Sequence, residues 1–126
     1  LRFRLNGSTS NSFSILVSGS ALLPQNPANP CFGLDSGVTS ANLDGLRVVG
    51  GSVLRHGVRA TDVTGSVGFL NAGWGPPDNP IGGLAAQAGF IVGEQRHFQV
   101  FYRDLATAGC GTGQNTSQAV SVMFTP

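Results

Sequence analysis

The chain has 126 residues, of which 40% are hydrophobic and 10% are charged. This length suits one domain with a sizeable core, and the apolar content argues against intrinsic disorder. Lys is absent, and the Arg residues are spread along a chain whose net charge is +1. No basic run could therefore follow a nucleic-acid backbone, and no apolar run approaches the roughly 20 residues of a membrane span. We expect neither nucleic-acid binding nor membrane insertion.

Apolar and polar residues alternate with a period of two in several segments, which is the pattern of a strand with one buried face. The clearest segments are residues 1–5, 13–17, 98–102 and 120–124, and weaker ones are 46–49, 58–61, 66–70 and 84–92. No segment shows the 3.6-residue period of an amphipathic helix. About eight strands with this patterning predict a single all-β domain over residues 1–126, an antiparallel β-sandwich of jelly-roll or Ig-like type.

Gly, Pro, Asn and Asp cluster between these segments and predict turns. Long loops are expected at residues 24–30, 73–80 and 108–113, and a hairpin turn at 62–65. The first strand alternates Arg with apolar residues and suits the edge of a sheet, where charge discourages unwanted pairing. We expect both chain ends to lie within the fold or against neighbouring subunits, because free termini usually fray.

The two cysteines, Cys31 and Cys110, are predicted to form one disulfide. Neither lies in a CxxC motif or beside a His at metal-ligand spacing. The bond would close a loop of about 80 residues and place the loops at 24–30 and 108–113 at one end of the fold. The alternative is a pair of buried free thiols in a reducing compartment.

Several segments resemble one family of bacterial domains. They are residues 11–20, 55–62 (RHGVRATD), 71–80 (NAGWGPPDNP), 96–104 (RHFQVFYRD) and 110–126 (CGTGQNTSQAVSVMFTP). Together they resemble a β-sandwich domain found near the C-termini of large secreted proteins of planctomycete-type bacteria. The resemblance implies export, an extracellular or cell-surface location, and other domains of the same precursor as partners. It implies no reaction and no catalytic residues.

Enzyme motifs are missing from the sequence. GxSxG, HExxH, GxGxxG and a P-loop do not occur. A catalytic carboxylate pair would need Asp62 and Asp104 to meet, but turn capping suits Asp62 better. A catalytic pocket would need His56, His97 and Asp104 together. We therefore predict no catalysis, no cofactor and no metal centre.

Two further polar groups have structural interpretations. Arg96 and Arg103 flank the strand that precedes Asp104, and an Arg–Asp pair there would hold the following loop. Bound calcium is a lesser alternative, because four oxygen-bearing residues lie close together without the spacing of an EF-hand. These residues are Asp35, Ser36, Asn42 and Asp44.

Trp74 carries the main alternative function. It lies between two glycines in a loop, and an exposed, rigid aromatic on a β-sandwich could bind the apolar face of a sugar. The polar groups for such a site would be Asn71, Asp78, Asn79 and Gln87. The competing interpretation is a loop Trp that folds over the core or against a neighbouring subunit.

The function we predict first is that of a non-catalytic structural domain that self-associates in a surface fibre or layer. A net charge near zero offers little repulsion between copies. The terminal strand with Leu1, Phe3 and Leu5 could pair with a neighbour's sheet. The alternative is a carbohydrate-binding or adhesion module of a secreted protein, with polysaccharide as its partner.

The disulfide prediction can be checked by mass. Alkylation of the unfolded, unreduced chain should leave Cys31 and Cys110 unmodified, whereas alkylation after reduction should add two groups. Two alkyl groups on the unreduced chain would show free thiols and would overturn the prediction.

Overall fold

The computed structural model describes residues 1–23, 48–78, 89–105 and 113–126. Within these ranges the chain forms seven strands, all in antiparallel pairs, which confirms an antiparallel all-β fold. A helix long and apolar enough to cross a membrane is not found in the same ranges. The strands are β1 (Phe13–Gly19), β2 (Ala21–Leu22), β3 (Val49–Gly50), β4 (Leu54–Ala60), β5 (Gln95–Arg103), β6 (Gln114–Thr116) and β7 (Val120–Met123).

Five of these strands form the main sheet, with β1 and β5 at its centre. The order is β4–β1–β5, and both β6 and β7 pair with the far side of β5. Strand β6 pairs with the C-terminal part of β5 and β7 with its N-terminal part. Strands β2 and β3 form a separate two-stranded pair that lies against β1 and β5.

Ser117 connects β6 to β7 without breaking the hydrogen bonding of β5. Its N–H donates to the Val100 carbonyl (2.8 Å), and its hydroxyl accepts from the Val100 N–H (2.9 Å). The hydroxyl thus replaces a backbone carbonyl at the point where the edge chain leaves the ladder. Strands β6 and β7 therefore form one edge of the main sheet that is interrupted at Ser117.

A bulge in β4 turns its side chains relative to β1. Ile15 pairs with Val58 and Val17 with Arg55, so β4 contains one extra residue in this interval. Gly57 lies in the bulge with a φ of +89°, a conformation that favours glycine. The bulge directs His56 to the same face of the sheet as Ser18 of β1, with which its ring hydrogen-bonds.

The core lies on one face of the main sheet, here called the inner face. Strand alternation places Leu16, Phe98 and Val100 on this face, where they pack against a covering layer. That layer consists of residues 3–5 and 67–74, joined by antiparallel bridges Phe3–Trp74 and Leu5–Val67. Its buried side chains are Leu5, Val67 and Trp74.

Most of the clear strand predictions are confirmed, and the weaker ones are confirmed in part. Residues 13–17 and 98–102 lie in β1 and β5, and 58–61 overlaps the end of β4. The predicted strand at 66–70 is wrong, since only Val67 makes a bridge. Residues 1–5 form only the two bridges, and they pair on one side, as expected of an edge.

The turn predicted at 62–65 is confirmed, but it does not form a hairpin between paired strands, since β4 pairs with β1 and Val67 pairs with Leu5. The Gly65 N–H donates to the Asp62 carbonyl (3.0 Å), and the Asp62 carboxylate accepts from the N–H groups of Thr64 (2.8 Å) and Ser66 (3.0 Å). Cys31 and Cys110 lie outside the described residues, so the disulfide stays a prediction. The loop at 24–30 also lies outside them.

Gly65 should be essential for attaching the N-terminal segment. Both Gly7 and Gly65 have a φ of +74°, but a Cβ on Gly65 would lie 1.8 Å from the Ser8 carbonyl oxygen, whereas one on Gly7 would meet nothing within 4 Å. We expect Gly65→Ala to lower the free energy of unfolding by about 2 kcal/mol or more, and Gly7→Ala by about 1 kcal/mol from backbone strain alone. Urea denaturation of the two variants checks this, and equal losses would contradict it.

Candidate functional site

Trp74 belongs to the core and offers no exposed platform. Its side chain is 0% exposed, and the indole Nε1 donates to the Gly57 carbonyl in the β4 bulge at 2.8 Å. The flanking glycines permit this position, because a Cβ on Gly75 would lie 2.3 Å from the Leu1 carbonyl oxygen. The hypothesis of an exposed Trp74 that stacks on a sugar is therefore wrong, and the competing interpretation of a Trp folded over the core is the observed one.

The polar residues proposed to accompany Trp74 serve to brace its loop. Asn71 accepts from the Gly68 N–H (2.7 Å) and donates to the Ala60 carbonyl (2.7 Å). Asp78 accepts from the Arg2 guanidinium (3.0 Å) and from the Gly73 N–H (2.8 Å). Their hydrogen-bonding groups are thus directed to the protein itself. Asn79 and Gln87 lie outside the described residues.

The apolar side chains of the first strand mainly stabilise its own domain. Leu5 is buried, and the Phe3 ring packs on Phe98 with centroids 4.5 Å apart, while Leu1 is 55% exposed. The prediction that the side chains of Leu1, Phe3 and Leu5 form an assembly edge is wrong for Phe3 and Leu5, which lie inside the domain. Strand alternation turns Phe3 and Leu5 inward because the covering layer needs them to fill the core.

The two histidines lie on opposite faces of the main sheet. His56 on β4 hydrogen-bonds to the Ser18 hydroxyl on the inner face (2.8 Å). His97 on β5 precedes the inward Phe98, and its ring hydrogen-bonds to the Ser121 hydroxyl on the outer face (2.7 Å). The structure therefore does not bring His56 and His97 together as the catalytic hypothesis would require.

The charged residues singled out in the sequence also have local partners. Arg96 forms its ion pair with Glu94 (2.5 Å), and an Arg–Asp pair between Arg103 and Asp104 stays a prediction. Asp104 is buried, and its N–H donates to the Gly113 carbonyl. Within the described ranges no three His, Cys, Asp or Glu residues are grouped to hold a metal. The proposed calcium ligands lie outside these ranges: Asp35, Ser36, Asn42 and Asp44.

Burial sets the ionisation of His56. Its ring lies beside Phe98 and Phe90, with centroids 5.8 and 5.9 Å away. Desolvation by this environment is the main cause that lowers the pKa of His56 below its ordinary value, and the positive charge of Arg96 lowers it further. The folded state therefore favours a neutral ring.

An apolar surface lies on the outer face of the main sheet. Val58, Ile15 and Phe101 are neighbours across β4, β1 and β5, and Phe13 lies beside them. Phe13 is 60% exposed and Val58 is 56% exposed, while the other two are half-buried. We call these four residues the outer patch.

Another part of the outer face is covered by the β2–β3 pair. The Val48 N–H, next to β3, donates to the side-chain oxygen of Gln99 (3.1 Å). The β3 backbone lies so close to β1 that a Cβ on Gly19 would be 2.2 Å from the Gly50 carbonyl oxygen. The outer patch lies on a part of this face that the β2–β3 pair leaves open.

A second surface, the inner cleft, lies between the covering layer and the interrupted edge of the main sheet. It has a volume of about 300 Å³ and is bounded by residues 3–8 on one side and by Ser117, Gln118 and Val120 on the other. Arg4 is the one charged residue that lines it in the described part of the chain. The sequence could not reveal this cleft, since its walls come from opposite ends of the chain.

Tyr102 lines the inner cleft and has a neutral side chain. Burial raises the pKa of Tyr102, and the negative charge of Asp104 raises it further. The phenol is therefore protonated at neutral pH and can both donate and accept a hydrogen bond. This arrangement suits binding of a neutral polar group.

Comparisons with known proteins add no relative. No protein-family model, curated protein or solved structure matches this chain. The resemblance to a secreted planctomycete-type domain therefore stays a prediction, as do export and an extracellular location.

Lowering the pH through the range in which His56 takes up a proton should lower the free energy of unfolding. Because the pKa of His56 is lower in the folded chain than its ordinary 6.5, the unfolded chain takes up this proton first as the pH falls. The stability that depends on neutral His56 is present above about pH 6.5 and is lost as the pH falls through the folded pKa. In His56→Gln this part of the pH dependence should disappear.

Urea denaturation across the pH range from about 7.5 to 5 measures this effect in both chains. The lowered pKa of Asp62, caused mainly by its hydrogen bond from the Thr64 hydroxyl, acts only below that residue's ordinary 3.8 and does not interfere. Identical pH dependence in the parent chain and in His56→Gln would rule out this assignment.

Proposed function

We propose that this chain is a non-catalytic assembly module of an extracellular protein and that copies of it associate through the outer patch. The observation that carries the proposal is the exposed outer patch of the main sheet. Phe13 and Val58 expose more than half of their side chains there, beside Ile15 and Phe101. Burying apolar surface against a second copy is favourable by about 25 cal/mol per Å².

Face-to-face packing suits the shape of this surface. Two β-sheets stack with their faces about 10 Å apart and their inner side chains interdigitated. A second copy would provide such a sheet, and the β-sandwich predicted from the sequence would then be completed between copies. The net charge of +1 adds little long-range repulsion between them.

The edges of the main sheet are less suited to association. On one side, β4 contains a bulge and the exposed Arg55. On the other side, the edge is divided into β6 and β7. Bulges, charges and short strands are the features by which natural sheets avoid pairing with other chains. Contact through the face is therefore favoured over extension of the main sheet.

The size of the outer patch indicates weak association of isolated copies. Four apolar side chains form a contact below the standard protein–protein interface of about 1,600 Å², so we expect dissociation constants in the range of transient complexes. In a fibre, layer or multidomain precursor, many such contacts would act together and strengthen binding. The carbohydrate alternative has no comparable support, because the side chain of Trp74 is buried.

Removing the outer patch should abolish self-association. In Phe13→Ser/Val58→Ser, less apolar surface is available in each copy, and the dissociation constant should rise at least about tenfold. Val63→Ser/Leu70→Ser is the matched control, because Val63 is 75% and Leu70 is 86% exposed and neither lies in the patch. Sedimentation equilibrium over a range of concentrations measures both.

Two results would contradict the proposal. A parent chain that stays monomeric at all accessible concentrations has no such association. An equal change in both double variants would show that the outer patch is not the contact.

A further inference from the structure

The covering layer has one open backbone edge. The N–H of Phe3 donates to the Trp74 carbonyl (2.7 Å), the N–H of Leu5 donates to the Val67 carbonyl (3.1 Å), and both bonds are reciprocated. All four bonds lie on the side of residues 67–74. Because backbone groups of successive residues in a strand point in opposite directions, the N–H and C=O of Arg4 point away from that segment.

These Arg4 groups have no hydrogen-bond partner among the described residues. The Arg4 side chain makes only a cation–π contact, with its guanidinium carbon 5.1 Å from the centroid of the Phe69 ring. Arg4 also lines the inner cleft. The open edge of the covering layer therefore coincides with a wall of the cleft.

The base of the inner cleft consists of buried core residues, and its far wall includes an exposed apolar side chain. Leu16, Phe98 and Val100 form its base, and all three belong to the core. On the far wall, Val120 pairs with Phe98 and therefore lies on the inner face, yet it is 52% exposed. The covering layer does not extend over this part of the inner face.

We propose that the inner cleft binds an extended peptide segment of a partner protein by β-strand addition, as a third strand of the covering layer. The Arg4 N–H and C=O form a pair of antiparallel hydrogen bonds with one residue of the peptide. The peptide residues on either side of it turn small apolar side chains toward Val100 and Val120.

Charge defines the preferred peptide further. The residue bonded to Arg4 carries its side chain on the same face as the Arg4 guanidinium. Arg4 is the one charged residue among the described residues that line the cleft, so a carboxylate at this peptide position is favoured. The expected motif is an acidic residue between two small apolar residues in an extended conformation.

This site is independent of the proposed self-association. It lies on the inner face, whereas the outer patch lies on the opposite face of the main sheet. Loss of dimers would leave peptide binding unchanged, and absence of peptide binding would leave the outer patch intact. Each of the two proposals can therefore be refuted without refuting the other.

The test is an NMR titration of the ¹⁵N-labelled full chain with a capped five-residue peptide in the order Thr, Val, Asp, Val, Thr. We expect saturable shifts at the Arg4 amide and at least about tenfold slower hydrogen exchange of that amide at saturation, because exchange requires opening of the new hydrogen bond. The control peptide is identical except for an N-methyl group on its aspartate, which removes the N–H that donates to the Arg4 carbonyl. It should bind at least about tenfold more weakly.

Matched variants locate the site. Val120→Asp places a carboxylate in the cleft and should weaken binding at least about tenfold, whereas Met123→Asp should leave it unchanged. Both residues lie on β7 with nearly equal exposure, 52% and 53%, but Met123 does not line the cleft. The proposal is overturned if the Arg4 amide is unaffected by the peptide, if the N-methylated peptide binds equally well, or if both variants bind alike.

Discussion

The hydrogen bond from the Trp74 indole to the Gly57 carbonyl joins the two layers of this domain. It pairs a backbone carbonyl in the β4 bulge with the largest fully buried side chain of the core. Backbone bonds between Trp74 and Phe3 then attach the N-terminal segment to the same point. Because a buried, unpaired polar group is costly, the bulge, the indole and the covering layer form one interdependent unit.

This arrangement makes the two faces of the main sheet chemically different. The inner face is covered in part by the covering layer and by Phe90, which packs against Phe98 and Phe124. On the outer face, Gln99 accepts a hydrogen bond from Val48, while Phe13 and Val58 stay exposed. Asp62, considered in the sequence for a catalytic pair, and Asn71, considered for sugar binding, hold a turn and a loop.

Residues 3–5 connect stability with binding. One side of this short segment is paired with residues 67–74 and carries Phe3 and Leu5 into the core. Its other side presents the backbone of Arg4 to the inner cleft. A strand that is hydrogen-bonded along one edge has an ordered backbone before a partner binds to its other edge. This order lowers the entropy cost of binding. The terminal strand expected to pair with a neighbour's sheet is therefore better placed to receive a strand than to donate one.

The sequence by itself determined the strand class, the positions of β1 and β5, and the turn at 62–65, because alternation and turn chemistry are local properties. It could not determine the role of Trp74, since two flanking glycines are compatible with an exposed loop and with close packing on Leu1. It also could not show that His56 and His97 face opposite ways, because the bulge at Gly57 changes the alternation of β4. The outer patch and the inner cleft were decided only by the tertiary structure, since each combines residues that are distant along the chain and meet only when the sheet forms.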